Sequence, residues 1–158
     1  MIVRQVLSIL LGVVLLAGCS SSENVKELPT VVSFSMVADE GVNPNVFGES
    51  SPVEVQVFEL VDDSMFMSAD FDQINEDHKK VLKSNYIQVY DYVLTPGQFK
   101  YVDDISVDED TRYIGVLAKF AEPELSEWKK AVKIINLGRK YHLLMLFKDY
   151  DIKLEKVE

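Results

Sequence analysis

One cysteine, two histidines and one tryptophan are all that the 158 residues hold of the side chains that most often carry chemistry. A single cysteine excludes an intrachain disulfide and a thiolate metal cluster, so stability has to come from packing. Cations are scarce as well: 16 Lys and Arg stand against 26 Asp and Glu, a formal net charge of −10. Such a surface is repelled by phosphate backbones and anionic headgroups, which argues against nucleic acid as a partner. Long apolar runs are missing too. Leu7 to Leu16 falls far short of the ~20 residues that span a bilayer. No Gly-x-Ser-x-Gly elbow, His-Glu-x-x-His pair or glycine-rich phosphate loop occurs. Asp103-Asp104 and Asp108-Glu109-Asp110 cluster carboxylates but lack the spacing of a calcium loop, and read as charged turns. His78 lies in a helical stretch and His142 in the most apolar strand; both read as structural or surface residues. The chain is expected to be a non-enzyme, with no metal and no diffusible cofactor.

What is present begins near the start. Arg4, the apolar run Leu7–Leu16 and then Leu16-Ala17-Gly18-Cys19 have the order of a secretory signal followed by a cut. Leu-Ala-Gly-Cys resembles the bacterial lipobox. That resemblance implies diacylation of Cys19, removal of residues 1–18 and acylation of the new amino terminus. Each buried CH₂ adds ~0.8 kcal/mol, so two or more chains hold where one is marginal. Ser20 follows the cysteine, and no Asp stands there to mark inner-membrane retention. The expected location is therefore the outer membrane, facing the periplasm. Removing residues 1–18 from the 158 leaves 140, the size of one domain. Arg4 is the only charge removed, so the net charge goes from −10 to −11.

Residues 19–29 read as the lipidated cysteine and a polar tether ending at Pro29, and residues 30–158 as the folded domain. Val32, Phe34 and Met36 alternate with Ser33 and Ser35, the period of a strand with one buried face. Asp39 to Pro52 is a long loop rich in Gly, Asn, Pro and Ser. Val53, Val55 and Val57 against Glu54 and Gln56 form the cleanest strand. Residues 64–82 shift to a three-to-four spacing (Phe66, Ile74, His78, Val81) that predicts one irregular helical segment, with Ser68 as its N-cap. Strands follow at Tyr86–Leu94, Phe99–Val107, Tyr113–Phe120, Trp128–Ile135, Tyr141–Phe147 and around Ile152–Leu154. Thr95-Pro96-Gly97-Gln98 is a turn by its chemistry. About eight short strands and one helix predict an all-β, two-sheet antiparallel sandwich. Strands running in alternate directions would gather Glu40–Ser51, Thr95–Gln98 and Ala121–Glu127 at the end away from the tether.

The order of features resembles a known family. A lipobox, a tether and a strand lead to Val42-Asn43-Pro44-Asn45, then Ser51-Pro52-Val53-Glu54-Val55-Gln56-Val57-Phe58-Glu59-Leu60. Phe66 with Ala69-Asp70-Phe71, Thr95-Pro96-Gly97, and Tyr113-Ile114-Gly115-Val116-Leu117-Ala118 with Trp128 complete the set. Together they resemble the TssJ (SciN) lipoproteins of the type VI secretion system over nearly all of the mature chain. Gln56 and Lys129 stand where that family often carries Arg. The resemblance implies a transthyretin-like β-sandwich with an added helix. It also implies a role as the outer-membrane lipoprotein of the secretion membrane complex, bound to the periplasmic C-terminal domain of the inner-membrane protein TssM. In that family the loop between the first two strands is a partner contact. It corresponds to Glu40–Ser51 here and makes Val42, Asn43, Pro44, Asn45, Val46 and Phe47 the candidate contact residues.

Two classes of function stand side by side at this point. One is a structural adaptor whose body is a monomer when it lacks its lipid. The other is a periplasm-facing ligand- or carbohydrate-binding sandwich, or a transthyretin-like hydrolase. Trp128 and the tyrosines would serve the sugar reading, although an aromatic on a half-buried strand is more often core. A hydrolase would need clustered His and Arg, and the mature chain holds only Arg112 and Arg139, near different turns.

Overall fold

The computed structural model describes residues 28–157; the signal segment, Cys19 and most of the tether lie outside the described residues. Eight strands form: β1 (Val31–Ala38), β2 (Val53–Leu60), β3 (Tyr86–Leu94), β4 (Phe99–Ser106), β5 (Tyr113–Lys119), β6 (Lys129–Lys133), β7 (Lys140–Lys148) and β8 (Asp151–Val157). They make two four-stranded sheets, in the orders β4-β1-β7-β8 and β3-β2-β5-β6. The period-two faces read from the sequence close on each other. Phe34, Met36, Val53, Val55, Val57, Val116, Leu143 and Met145 are among the buried side chains of the inter-sheet core. β7, nearly continuous in apolar residues, is a central strand, and β8, whose lysines discourage edge pairing, is an edge.

One pairing departs from the antiparallel expectation. β1 and β7 run parallel along their whole length, Val31 opposite Lys140 through Ala38 opposite Phe147. The cause is topological. The chain reverses direction at every strand, so two odd-numbered strands placed side by side must point the same way. Every other strand pair is antiparallel.

The single helical segment resolves into two helices, α1 (Ser64–Ser68) and α2 (Phe71–Leu82), and a 3₁₀ turn at Lys83–Asn85. Ser68 is not an N-cap; it ends α1. Asp70 caps α2 instead, its carboxylate accepting from the Asp72 and Gln73 amides at 3.0 and 3.4 Å. A carboxylate at that position satisfies orphan N–H groups and meets the positive end of the helix. The backbone leaves helical geometry at Asp77 (φ −151°, ψ 84°), whose side chain then accepts from the Lys80 amide. These helices build a second core on the outer face of the β3-β2-β5-β6 sheet, with Phe58, Leu60, Phe66, Ile74, Leu82 and Leu117 buried in it. Gly115 makes the close approach possible: a Cβ there would sit 3.1 Å from both Leu60 and the Phe66 ring. β5 is consequently covered on both faces.

Candidate partner-binding site

The backbone bonds place the connections. The Ala38 amide donates to the Gln98 carbonyl at 2.9 Å, the Gly97 amide to Asp39 at 3.3 Å, and the Asn43 amide to Asp149 at 2.7 Å. The loop 39–52, the turn 95–98, the segment 120–127 and the β7–β8 turn therefore share one end of the sandwich. The start of the described chain is at the other end, where the Val31 amide donates to Arg139 and the Val107 amide to Thr30.

The candidate loop residues divide between interior and surface. Val42 is fully buried and belongs to the inter-sheet core. Asn43 is buried as well. It is 5% exposed and serves as a structural knot. Its side-chain amide donates to the Pro52 carbonyl at 2.8 Å, and its Oδ1 accepts from the Ala121 amide at 2.7 Å. Its carbonyl accepts from Ser51 Oγ at 2.6 Å. The residue sits at φ 49°, in the left-handed region that Asn tolerates better than most side chains. Pro44 is half-buried, with its carbonyl accepting from the Tyr150 hydroxyl at 2.5 Å.

From this pinned base the loop projects a small closed tip. Asn45 Oδ1 accepts from the Phe47 and Glu49 amides at 2.9 and 3.0 Å, and Gly48 turns the chain at φ 78°. Asparagine bonding to amides a few residues on is the usual way such a turn closes. A tip so short and locally satisfied leaves its apolar side chains nowhere to fold back. Val46 and Phe47 are 82% and 84% exposed. The segment 120–127 at the same end adds a residue the sequence reading passed over. Leu125, on the 3₁₀ turn Pro123–Leu125, is 76% exposed. The signal was available, since Leu125 is an apolar residue in a Pro- and Glu-rich connection, as Val46 and Phe47 are in theirs. Glu40, Glu49, Glu124 and Glu127 are exposed on the same segments and make the surround acidic.

The other residues singled out from sequence do not converge. His78 packs against Phe58 and Tyr86 on the helix side, at ring separations of 5.5 and 5.3 Å, and its Nε2 has no hydrogen-bond partner among the described residues. Burial, with the Lys79 charge adding to it, pushes its pKa down. His142 lies on the outer face of the opposite sheet, bonded through Nδ1 to Ser33 Oγ at 2.9 Å and stacked on Tyr101. Trp128 offers no open platform for a sugar. Phe71 packs edge-on to it at 5.1 Å, and Lys129 Nζ sits 4.4 Å from its ring centroid. That ammonium donates to the Ala69 carbonyl at 2.5 Å, and burial pushes its pKa down against the pull of Asp70. Among the described residues no three His, Cys, Asp or Glu side chains are grouped to hold a metal. Asp108–Asp110 caps the end away from the loop.

Known proteins share this architecture. The T6SS lipoprotein TssJ1 from Pseudomonas aeruginosa superposes with a TM-score of 0.78 at 22% identity, over 82% of this chain and 98% of that one. Serratia marcescens Lip, described as a membrane bound component of the type VI secretion system, matches at TM-score 0.69 and 25% identity, over 83% and 98%. A chain of the structure described as the TssM C-terminal domain from EAEC matches at TM-score 0.65 and 24% identity, over 80% and 98%. No curated protein matches at the sequence level. Residues 30–155, the whole sandwich but its last strand end, match the family model of the type VI secretion lipoprotein, VasD, EvfM, TssJ. The chain belongs to that family of type VI secretion lipoproteins.

Proposed function

We propose that this lipoprotein is an adaptor, held in the outer membrane by acyl chains on Cys19 and gripping the periplasmic C-terminal domain of TssM with its loop-bearing end. The observation that carries the reading is the pair Val46 and Phe47, more than four-fifths exposed on a tip whose base Asn43 locks to Pro52 at the loop's far end and to two other segments, at Ala121 and Asp149. Exposed apolar anchors on a rigid mount make little sense for a free monomer and are what a protein interface uses. Pro44 and Asn45 support the tip, while Val42 and Asn43 act from inside. The match to a chain in a TssM structure is consistent with the same partner.

The test is a pull-down with the periplasmic domain of TssM, comparing the native chain with Val46→Ser/Phe47→Ser. Both side chains are outside the core, so a circular dichroism melt should be unchanged while capture is lost. Full capture by the double variant would remove the tip from the interface. Fractionation of cells carrying Cys19→Ser tests the anchor, and retention in the outer membrane would refute it.

A further inference from the structure

The end away from the loops carries a second apolar surface. Leu28, and Ile135 and Leu137 in the β6–β7 connection, are exposed. They are held together by bonds between their two segments. Pro29 bridges to Leu137, the Gly138 amide donates to the Leu28 carbonyl at 2.7 Å, and Thr30 Oγ1 donates to the Ile135 carbonyl at 2.7 Å. A hollow of about 300 Å³, lined by Leu28, Pro29, Val31, Gly138, Arg139 and Lys140, opens beside them. Both arginines of the described residues, Arg112 and Arg139, stand at this end. Arg112 Nη1 donates to the Glu109 and Thr111 carbonyls, and Lys140 pairs with Asp104 at 3.0 Å. The Arg139 guanidinium is exposed and makes no hydrogen bond or ion pair among the described residues.

We propose that this end docks on the phospholipid bilayer in which the chain is anchored, with Leu28, Ile135 and Leu137 entering the headgroup boundary and Arg139 meeting a phosphate. The proposal rests on Cys19 being the anchor. The reach of the chain selects the bilayer as occupant. It leaves toward Cys19 from Leu28, and residues 19–27 span at most ~30 Å. So short a tether holds this surface at an effective concentration on the order of millimolar, where a contact too weak to recruit a free protein is still populated. Charge does not select the orientation by itself: Arg112 and Arg139 offset only part of the neighbouring turn Asp108–Asp110, so the apolar side chains and the tether carry the contact.

The mature chain has no cysteine besides Cys19, so one fluorophore can be placed on one new thiol. Leu137→Cys, and Phe47→Cys as the opposite-end reference, are labelled in the full lipidated chain reconstituted in phosphatidylethanolamine–phosphatidylglycerol vesicles. Quenching by a nitroxide on the upper acyl chain is then read. The label at 137 should be quenched several-fold more than the label at 47, and adding Ile135→Asp should reduce that difference. Equal quenching at the two sites, or none at 137, overturns the proposal. A parallel arm carries Cys19→Ser with a hexahistidine before Ser20, held by nickel-chelating lipid. If the native chain proves not to be acylated, the anchor reading fails, and this arm still decides whether the surface docks.

Discussion

Asn43 Oδ1 accepts the Ala121 amide proton across 2.7 Å, joining two loops that lie 78 residues apart in sequence. The other half of the same amide holds the Pro52 carbonyl at the far end of its own loop. One side chain therefore sets both the spacing of the loop's two strands and its distance from the segment that presents Leu125. The exposed tip is rigid because of what happens beneath it.

Asn43→Ala should accordingly be costly for a residue in a loop. It orphans a half-buried amide and a carbonyl and leaves alanine at φ 49°. Together these put the loss at roughly 2–4 kcal/mol. Asn43→Asp keeps the acceptor for Ala121 but sets a buried carboxylate oxygen against the Pro52 carbonyl, so it should cost at least as much. Urea unfolding of both variants checks the order. A loss below about 1 kcal/mol for the alanine variant would show that the loop is held by other means.

A second buried polar group ties the opposite end. Glu59, 2% exposed, accepts from the Tyr90 hydroxyl at 2.6 Å, Thr111 Oγ1 at 2.6 Å and the Asp108 amide at 2.9 Å. Among the described residues no cation shares the site, so donors alone hold the carboxylate. Burial, reinforced by this bond, pushes the Tyr90 pKa well above the ordinary phenol value. Glu59→Ala strips three donors of their partner and should cost about 3–5 kcal/mol. Glu59→Gln should cost far less, because the Tyr90 hydroxyl can rotate to accept from the new NH₂ group. Equal losses for the two variants would show that charge, rather than donor matching, decides the site.

What could be read from the sequence, and what could not, follows from the range of the interactions. Alternation is local, so Val53, Val55 and Val57 announce their face, and strand reversal places the loops 39–52, 95–98 and 121–127 at one end. Glu59 continues that inward parity, but Tyr90 and Thr111, which make its burial tolerable, are 31 and 52 residues away. The parallel pairing of β1 with β7 is equally non-local. In the loop, Val42 and Val46 are the same residue type four positions apart, one in the core and one in solvent. Only the bonds of Asn43 to Pro52, Ala121 and Asp149 separate them, and no local pattern encodes those. Ser68 lost the capping role to Asp70 because both are good caps two residues apart, and packing of Phe66 under Gly115 decides where the first helix stops.

His78 gives the fold an acid-side sensitivity. Its folded pKa lies below the ordinary imidazole value, chiefly through burial. The unfolded chain therefore binds the proton more readily. The stability that the neutral ring contributes is intact above pH ~6.5 and is lost as pH falls through the folded value. Thermal melts from pH 7.5 to 5 should decline. His78→Phe, which keeps a ring between Phe58 and Tyr86, should flatten the part of that slope due to this residue. An unchanged slope would place the titration elsewhere.

The acidic surround of the loop end and the apolar side chains within it should separate in kinetics. Glu122, Glu124 and Glu127 lie on one short connection, and among the described residues only Glu127 of the three is in an ion pair, with Lys130. Rim charges of one sign act at a distance, over a Debye length of about 10 Å at 0.1 M salt, so they steer encounter and do little once the complex has formed. Val46, Phe47 and Leu125 can act only in contact. On the adaptor reading, replacing Glu122 and Glu124 with Gln should lower the association rate toward a basic TssM surface several-fold at low salt. That difference should vanish by about 0.5 M salt, with dissociation unchanged. Leu125→Ser should do the reverse, leaving association alone and speeding dissociation by roughly ten-fold, the equivalent of about 1.4 kcal/mol. Surface plasmon resonance at two salt concentrations reads both. If the glutamate changes alter dissociation while Leu125→Ser alters nothing, the contact lies on the charged rim and the apolar tip is not its centre.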